Sequence, residues 1–412
     1  MNKDQLFELI ANGENSRVEF KRDDCHPDDL SKEMSALLNL VGGVILLGVE
    51  DDGTISGLAR SRAEAEQWVI NIARNGLQPP AIPVWSATAT AGDKLVGVVE
   101  CPADSLSKPH KARRGKAWVT YTRAGSHSRE ATRDEEGRLY QSAGLVRYEI
   151  KSVPDMRLDS LDLRRIENYF CSVLRRAAPS RSDLGGWQQL LINSDLMSES
   201  GDGACASVAG LLLFGLSPNR RLPQAGVTAA AFPNSAKDYN TMDEERIRGP
   251  LAPVVSDSGE LTEEGVIDRA VGFVSRNMGS IAWLDGARRR SKPALPLDAV
   301  REAVVNAVAH RDYAREGTDI EVSLYVDRLE VISPGRLPNG VTVEKMREGV
   351  VRVARNELIK EILRDYRYIE HQGMGVRSRI VESMRRHNGT EAELVEEDDR
   401  FIVRLWKSQD GA

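Results

Sequence analysis

Nowhere in the 412-residue chain does an apolar run approach the ~20 residues a helix needs to cross a bilayer, so no membrane partner is expected. The opening stretch, MNKDQLFELIANG, is a polar amphipathic helix by its pattern rather than a secretory leader. Cysteine is scarce. Cys25, Cys101, Cys171 and Cys205 form no CxxC pair and no ligand cluster with the six histidines, which excludes a zinc site and a disulfide framework and points to a reducing cytoplasm. An excess of positive charge is missing too. A net charge of -6 is wrong for a protein that coats nucleic acid with its whole surface, because that binding is driven by counterion release from phosphates. What is present is ordinary for a globular protein: 41% apolar and 29% charged residues, over a length that serves two or three cores.

Three segments are expected: 1–146, 147–290 and 291–412. In the first, LSKEMSALLNLV after Asp28 and Asp29 reads as a helix stopped at Gly42-Gly43. VILLGVE reads as a buried strand, DDG as a hairpin turn and TISGL as its partner, while KLVGVVECP and AWVTYTRAG supply more strands and DEEGRLYQ a helix. In the second, MRLDSLDLRRIENYFCSVLRRA reads as one amphipathic helix, ASVAGLLLFG as a core element, AGVTAAAF as a strand, and GVIDRAVGFVSRNM as a helix leading into GARRRSKP. In the third, LPLDAVREAVVNAVAHRDY sets Glu302, Asn306 and His310 four residues apart on one helix face, with Val300, Val304, Ala307 and Val308 turned inward. Strands DIEVSLYVD, RLEVISPG and RFIVRLW and the helix ARNELIKEIL follow. The whole predicts an α+β fold: a mixed-sheet N-terminal domain, an α/β middle region and a C-terminal α/β sandwich.

Two features invite chemistry at the N-terminus. Alternation in Val18-Glu19-Phe20-Lys21 places Glu19 and Lys21 on one strand face, within the acid-rich stretch ENSRVEFKRDD. The run KPHKARRGKAW concentrates Lys108, Lys111, Arg113, Arg114 and Lys116, and WVTYTRAGSHSRE adds Tyr121 and Arg123 on alternate strand positions. Such a combination suits single-stranded nucleic acid, whether RNA or DNA.

ENSRVEFK, LLNLVGGVILLGVEDDGTISGL and WVTYTRAGSHSREAT, in that order, resemble the Schlafen AlbA-like domain over the first third of the chain. The resemblance implies nucleic-acid binding and, by analogy with Schlafen nucleases, a Mg2+ or Mn2+ site on Glu14, Glu19 and Asp52, with Asp51 as the alternate. Lys21 would neutralise charge on the reacting phosphate. The middle segment resembles that of bacterial RecG-like transcriptional regulators.

The ordered motifs E-x3-N-x3-H, SPG, RN and GxG resemble the RecG-like C-terminal member of the GHKL ATPase superfamily, whose Bergerat fold holds ATP. That implies Glu302 as general base, Asn306 as magnesium ligand, and Gly335, Gly373 and Gly375 against the nucleotide. Ser333-Pro334-Gly335 stands where the family has D-x-G-x-G. Arg355-Asn356 reaches a phosphate or anchors its loop. Two functions are compatible with these resemblances. One is an ATP-controlled, metal-dependent nuclease, a homo-oligomeric hydrolase of bacterial antiviral defence or stress response. The other is a noncatalytic DNA-binding transcriptional regulator with a nucleotide-sensing domain. The chain ends soon after RFIVRLWKSQDGA with no helix-turn-helix reader, which favours the effector.

Overall fold

The alternation in VEFK becomes strand β1 (Val18–Lys21), which Val18 and Phe20 fasten from one side to helix α1 (Lys3–Asn12) through the buried Leu6. This computed structural model describes residues 2–408 apart from 41, 91, 93, 103–106, 144–146, 201–202, 287, 339–340, 352, 370–373 and 398. It divides into two compact units, residues 1–146 and 147–412.

In the first unit, α2 (Pro27–Asn39) begins with proline at its first turn and is capped by His26, which accepts the Asp28 N–H. Strand β2 (Gly43–Leu47) lies parallel to β1 and sends Ile45 and Leu47 to α2 and Leu46 to α1, so both faces of the sheet are buried. Helix α3 (Arg62–Asn75) starts on a Ser61–Glu64 capping box. Strands β3 (Leu77–Gln78), β4 (Val84–Ala89), β5 (Leu95–Cys101), β6 (Lys111–Arg114), β7 (Ala117–Ala124) and β8 (His127–Glu130) follow, with α4 (Arg133–Ser142) closing the unit. They make a mixed sheet in the order β1-β2-β5-β4 and a second, antiparallel sheet in the order β3-β6-β7-β8. TISGL is not the strand expected: only an isolated bridge joins Val49 to Ile55. Gly57 approaches Gly48 closely here, where a Cβ on Gly48 would lie 2.6 Å from the Gly57 carbonyl carbon.

The second unit opens with α5 (Leu163–Asn168), α6 (Leu184–Asn193), the ribbon β9 (Met197–Ser200) with β10 (Gly203–Ala206), and α7 (Val208–Phe214). The single helix expected over MRLDSLDLRRIENYFCSVLRRA is interrupted. Asp162 takes the N–H groups of Arg164 and Arg165 as an N-cap, so α5 starts there, and a π-turn over Tyr169–Val173 follows it.

Next come β11 (Val227–Ala231), β12 (Asp243–Ile247), the short pair β13 (Val254–Val255) with β14 (Leu261–Glu263), α8 (Val266–Asn277), and the ribbon β15 (Ser280–Asp285) with β16 (Arg288–Pro293). Helix α9 (Leu297–His310), β17 (Ile320–Leu324), β18 (Arg328–Pro334), α10 (Val343–Glu348), α11 (Glu357–Asp365), α12 (Glu382–Asn388), β19 (Glu393–Glu397) and β20 (Arg400–Trp406) complete the unit. The six-stranded sheet runs β12-β11-β17-β18-β20-β19, with β11 parallel to β17 and every other pair antiparallel. Strands from the expected middle region therefore pair directly with the third segment, and residues 147–290 and 291–412 share one core, from Trp187 and Phe214 to Val304 and Leu405. The fold is α+β.

Candidate functional site

Glu19 projects from β1 towards α2, with its side chain only 6% exposed, and two cations hold it there. Lys21 bonds one carboxylate oxygen, and the fully buried Arg123 on β7 lies 2.9 Å from the other. Arg123 also reaches Glu33 of α2 at 3.1 Å and donates to the Asn15 and Ser126 carbonyls at 2.8 Å each. Burial of Lys21 disfavours its charge, yet Glu19, Glu33 and Glu14 outweigh that and raise its pKa. The result is a cluster that joins Glu19 and Glu33 to Lys21 and Arg123 between β1, α2 and β7.

The two remaining carboxylates of the expected metal trio are hydrogen-bonded to backbone N–H groups instead. Glu14 accepts the Phe20 N–H at 2.8 Å; burial raises its pKa, and the charges of Glu19 and Asp51 add to that rise. Asp52 is exposed and accepts the Thr54 N–H at 2.8 Å, which lowers its pKa and closes the hairpin turn. Asp51, rather than Asp52, is thus the aspartate whose charge reaches Glu14. Among the described residues no three His, Cys, Asp or Glu side chains come together as a metal group. Glu14, Glu19 and Asp52 as placed do not fit the Mg2+ or Mn2+ site that the resemblance implies.

The basic run divides between core and surface. Lys108 is a correction: it is 2% exposed and donates to the Leu40 carbonyl at 2.6 Å, so it belongs to the core. Its neighbour explains the burial. Asn39 gives its amide to the carbonyls of His110 and Tyr121 and accepts the His110 N–H at 2.7 Å, pulling this stretch against α2. Arg123 is likewise interior. Lys111 pairs with Glu136 at 2.6 Å, and Arg114 with Glu130. Exposed at the β6–β7 turn are Arg113, Arg114 and Lys116, with Trp118 opposite Arg113 in the register.

In the second unit the four-residue spacing of α9 brings Glu302, Asn306 and His310 to one cavity of about 310 Å³, walled by β18, β20 and α11 and shared with Gly335 and Gly375. The Asn306 amide donates to Glu302 Oε1 at 2.8 Å, which fixes the orientation of the amide and leaves its carbonyl oxygen as an acceptor. Gly375 opens the π-turn Val376–Val381 so close to Glu302 that a Cβ would stand 2.0 Å from Oε1. Gly335 needs φ +113°, and a Cβ there would meet Asp312 and Arg355 at under 3 Å. Gly373 lies outside the described residues. Arg355 pairs with Asp312 at 3.2 Å, and the buried Asn356 donates to the Ala309 and Arg311 carbonyls, so this pair anchors its loop. Ser333, in the place of the family's aspartate, donates its hydroxyl to the Ala307 carbonyl at 2.9 Å.

Sequence reasoning missed Glu33, Lys360 and Arg364. A glutamate inside the apolar LSKEMSALL was the signal for the first. Lys360 and Arg364, one turn apart on α11 and opposite its buried Ile359, Ile362 and Leu363, place two cations on the cavity wall. A glycine cradle, an asparagine oxygen, a carboxylate and two cations fit a magnesium nucleotide.

His310 titrates against the fold. Desolvation, then Lys360 and Arg355, push its pKa down to about 4. Its folded pKa lies below the unfolded value, so the unfolded chain takes up the proton first as pH falls. Stability contributed at pH 7 is therefore lost between about 6.5 and about 4. His310→Gln is expected to flatten the decline of the second unit's melting temperature between pH 7 and pH 5; equal slopes for variant and wild type would remove this assignment.

A family model described as "Schlafen, AlbA_2" matches residues 14–132, which hold the Glu19–Arg123 cluster, and one described as "Putative ATP-dependent DNA helicase recG C-terminal" (HATPase_c_4) matches residues 317–405. The second match includes Gly335, Lys360, Arg364 and Gly375 and begins just after α9. No curated protein matches the chain. Among solved structures, the DIP2311 protein from Corynebacterium diphtheriae is 20% identical with a TM-score of 0.44, covering 98% of this chain and 80% of that one. The N-terminal domain of a RecG-related protein from Nitrosomonas europaea is 25% identical with a TM-score of 0.25, over 31% of this chain and 92% of that one. The chain thus carries, in order, a match to the Schlafen AlbA_2 family in its first unit and a match to the RecG C-terminal, HATPase_c_4 family in its second.

Proposed function

We propose that this chain is a nucleotide-binding, nucleic-acid-binding protein whose C-terminal cavity takes ATP with magnesium in a Bergerat-type site and whose β6–β7 hairpin contacts nucleic acid. The observation that carries it is the convergence of Glu302, Asn306, Gly335 and Gly375 with Lys360 and Arg364 on one cavity. Bound magnesium would screen the phosphate charge. Lys360 and Arg364 would bind phosphate oxygens, the Gly375 backbone would let them approach, and Glu302 would accept the proton of an attacking water. Calorimetry with ATP and magnesium is expected to show binding that Asn306→Ala weakens by roughly ten- to a hundredfold, the range for losing a group that supports a metal. Glu302→Gln should keep binding and slow any hydrolysis. Wild-type protein that binds no adenine nucleotide would end this proposal.

In the first unit the cluster around Arg123 favours a noncatalytic nucleic-acid-binding domain, as in a transcriptional regulator. What supports the second reading, a nucleic-acid-cleaving effector of defence or stress, is position: Glu14 accepts the N–H of Phe20, between Glu19 and Lys21 on β1, and burial with the nearby charges of Glu19 and Asp51 raises its pKa. Cleavage of RNA, single-stranded DNA or duplex DNA in Mg2+ or Mn2+ that vanishes in both Glu14→Gln and Asp51→Asn supports the effector. Three intact substrates, with and without ATP, leave the binding domain.

A further inference from the structure

The ribbon β15–β16 stands outside the six-stranded sheet: among the described residues its two strands pair with each other, from Ser280 opposite Pro293 to Asp285 opposite Arg288. A two-stranded ribbon alone is marginal in water, so its base must be held. Ala294 donates to the Gly279 carbonyl at 3.1 Å, Lys292 bonds the carbonyl of His387 at the end of α12, and His387 Nε2 lies 2.7 Å from the Pro293 carbonyl. The far end is where the charge lies. Over Ser280–Pro293 the chain carries four cations and one acid, in a protein of net charge -6. Arg288, Arg289 and Arg290 are all exposed near the tip, and Leu284, opposite Arg289, is 76% exposed. The base abuts the last turn of α12, which holds Arg385, Arg386 and His387.

Self-repulsion among adjacent arginines costs stability, and Arg288, Arg289 and Arg290 lie on the surface rather than in the core. A polyanion repays the cost. Six residues per strand extend roughly 20 Å, and two strands stand about 4.8 Å apart. Such a ribbon enters the major groove of B-form DNA, about 12 Å wide, whereas the narrow major groove of A-form RNA shuts it out. We propose that β15–β16 is a DNA arm: it lies in the major groove of duplex DNA, with Arg288 and Arg289 on phosphates or guanine edges and Leu284 against the bases. This extends nucleic-acid binding to the second unit, at a site separate in sequence from the β6–β7 hairpin.

The test is fluorescence anisotropy of the full chain on a labelled 30-bp DNA duplex and on the matching RNA duplex, across salt concentrations. R288Q/R289Q should leave the unfolding transition in place and weaken DNA binding. The slope of log affinity against log salt should fall by about 0.9 for each phosphate that an arginine no longer neutralises, roughly two in total if both arginines lie on phosphate. RNA binding should not change. An unchanged affinity and slope on DNA overturns the arm, as does an equal loss on RNA. Poly-glutamate competing as well as DNA at equal charge overturns it in favour of an acidic protein partner. R113Q/K116Q separates the two sites: if that variant alone weakens binding, the hairpin stands and the arm falls; if wild type binds neither duplex, the arm falls, and a labelled single strand decides the hairpin.

Discussion

Replacing Arg123 with methionine is expected to destabilise the first unit by about 3–5 kcal/mol, the cost of leaving buried charge without its partner. The side chain is fully buried, and Glu19 and Glu33, at 6% and 7% exposure, face it from β1 and α2. Methionine fills much of the volume but leaves two carboxylates with Lys21 and Lys32 as their remaining cations, Lys32 standing 3.7 Å from Glu33. A loss of that size is a large share of what holds a domain together. Hydrogen exchange should show it as reduced protection in β1, α2 and β7, with α9 and β18 unchanged. Adding Glu33→Gln to the methionine variant should restore part of the protection, because one unpaired charge is gone. Protection in β1 and α2 equal to wild type would show that the cluster contributes nothing to the fold, and Glu19 would again be open to a catalytic role.

That cluster marks where the sequence is legible and where it stops. The alternation in VEFK puts Glu19 and Lys21 on one face without any tertiary information, and the alternate positions of Tyr121 and Arg123 are equally local. The bond between Arg123 and Glu33 spans 90 positions, and no local pattern specifies it. Lys108 fails for the same reason: in KPHKARRGKAW it looks like surface, and long-range bonds such as those from Asn39 to His110, 71 positions away, draw it inside. On α9 the outcome is better, because a four-residue period is fixed by helix geometry and Glu302, Asn306 and His310 reach one cavity. The pairing of β11 with β17 joins residues some 90 positions apart, so the middle segment reads as separate until the sheet is seen.

Gly375→Ala is expected to weaken magnesium-nucleotide binding by roughly ten- to a hundredfold, the range for disturbing a partner that orients a metal ligand. A Cβ at this position would stand 2.0 Å from Glu302 Oε1 and 2.6 Å from its carboxyl carbon, so the carboxylate has to swing away. Its freedom to swing keeps the cost to the fold at the low end of the ~1–3 kcal/mol typical of overpacking. The cost to the site is larger. Glu302 is bonded to Asn306 at 2.8 Å, and a displaced carboxylate releases the amide that fixes which way the Asn306 oxygen points. The effect should therefore depend on Glu302: in a Glu302→Ala background the methyl group meets no carboxylate, and Gly375→Ala should add little to the loss. Calorimetry on the four proteins of this cycle measures the coupling directly. If Gly375→Ala costs the same affinity with and without Glu302, the glycine acts through the backbone at the phosphates alone. If it costs none in either background, the cavity does not hold a nucleotide against Gly375.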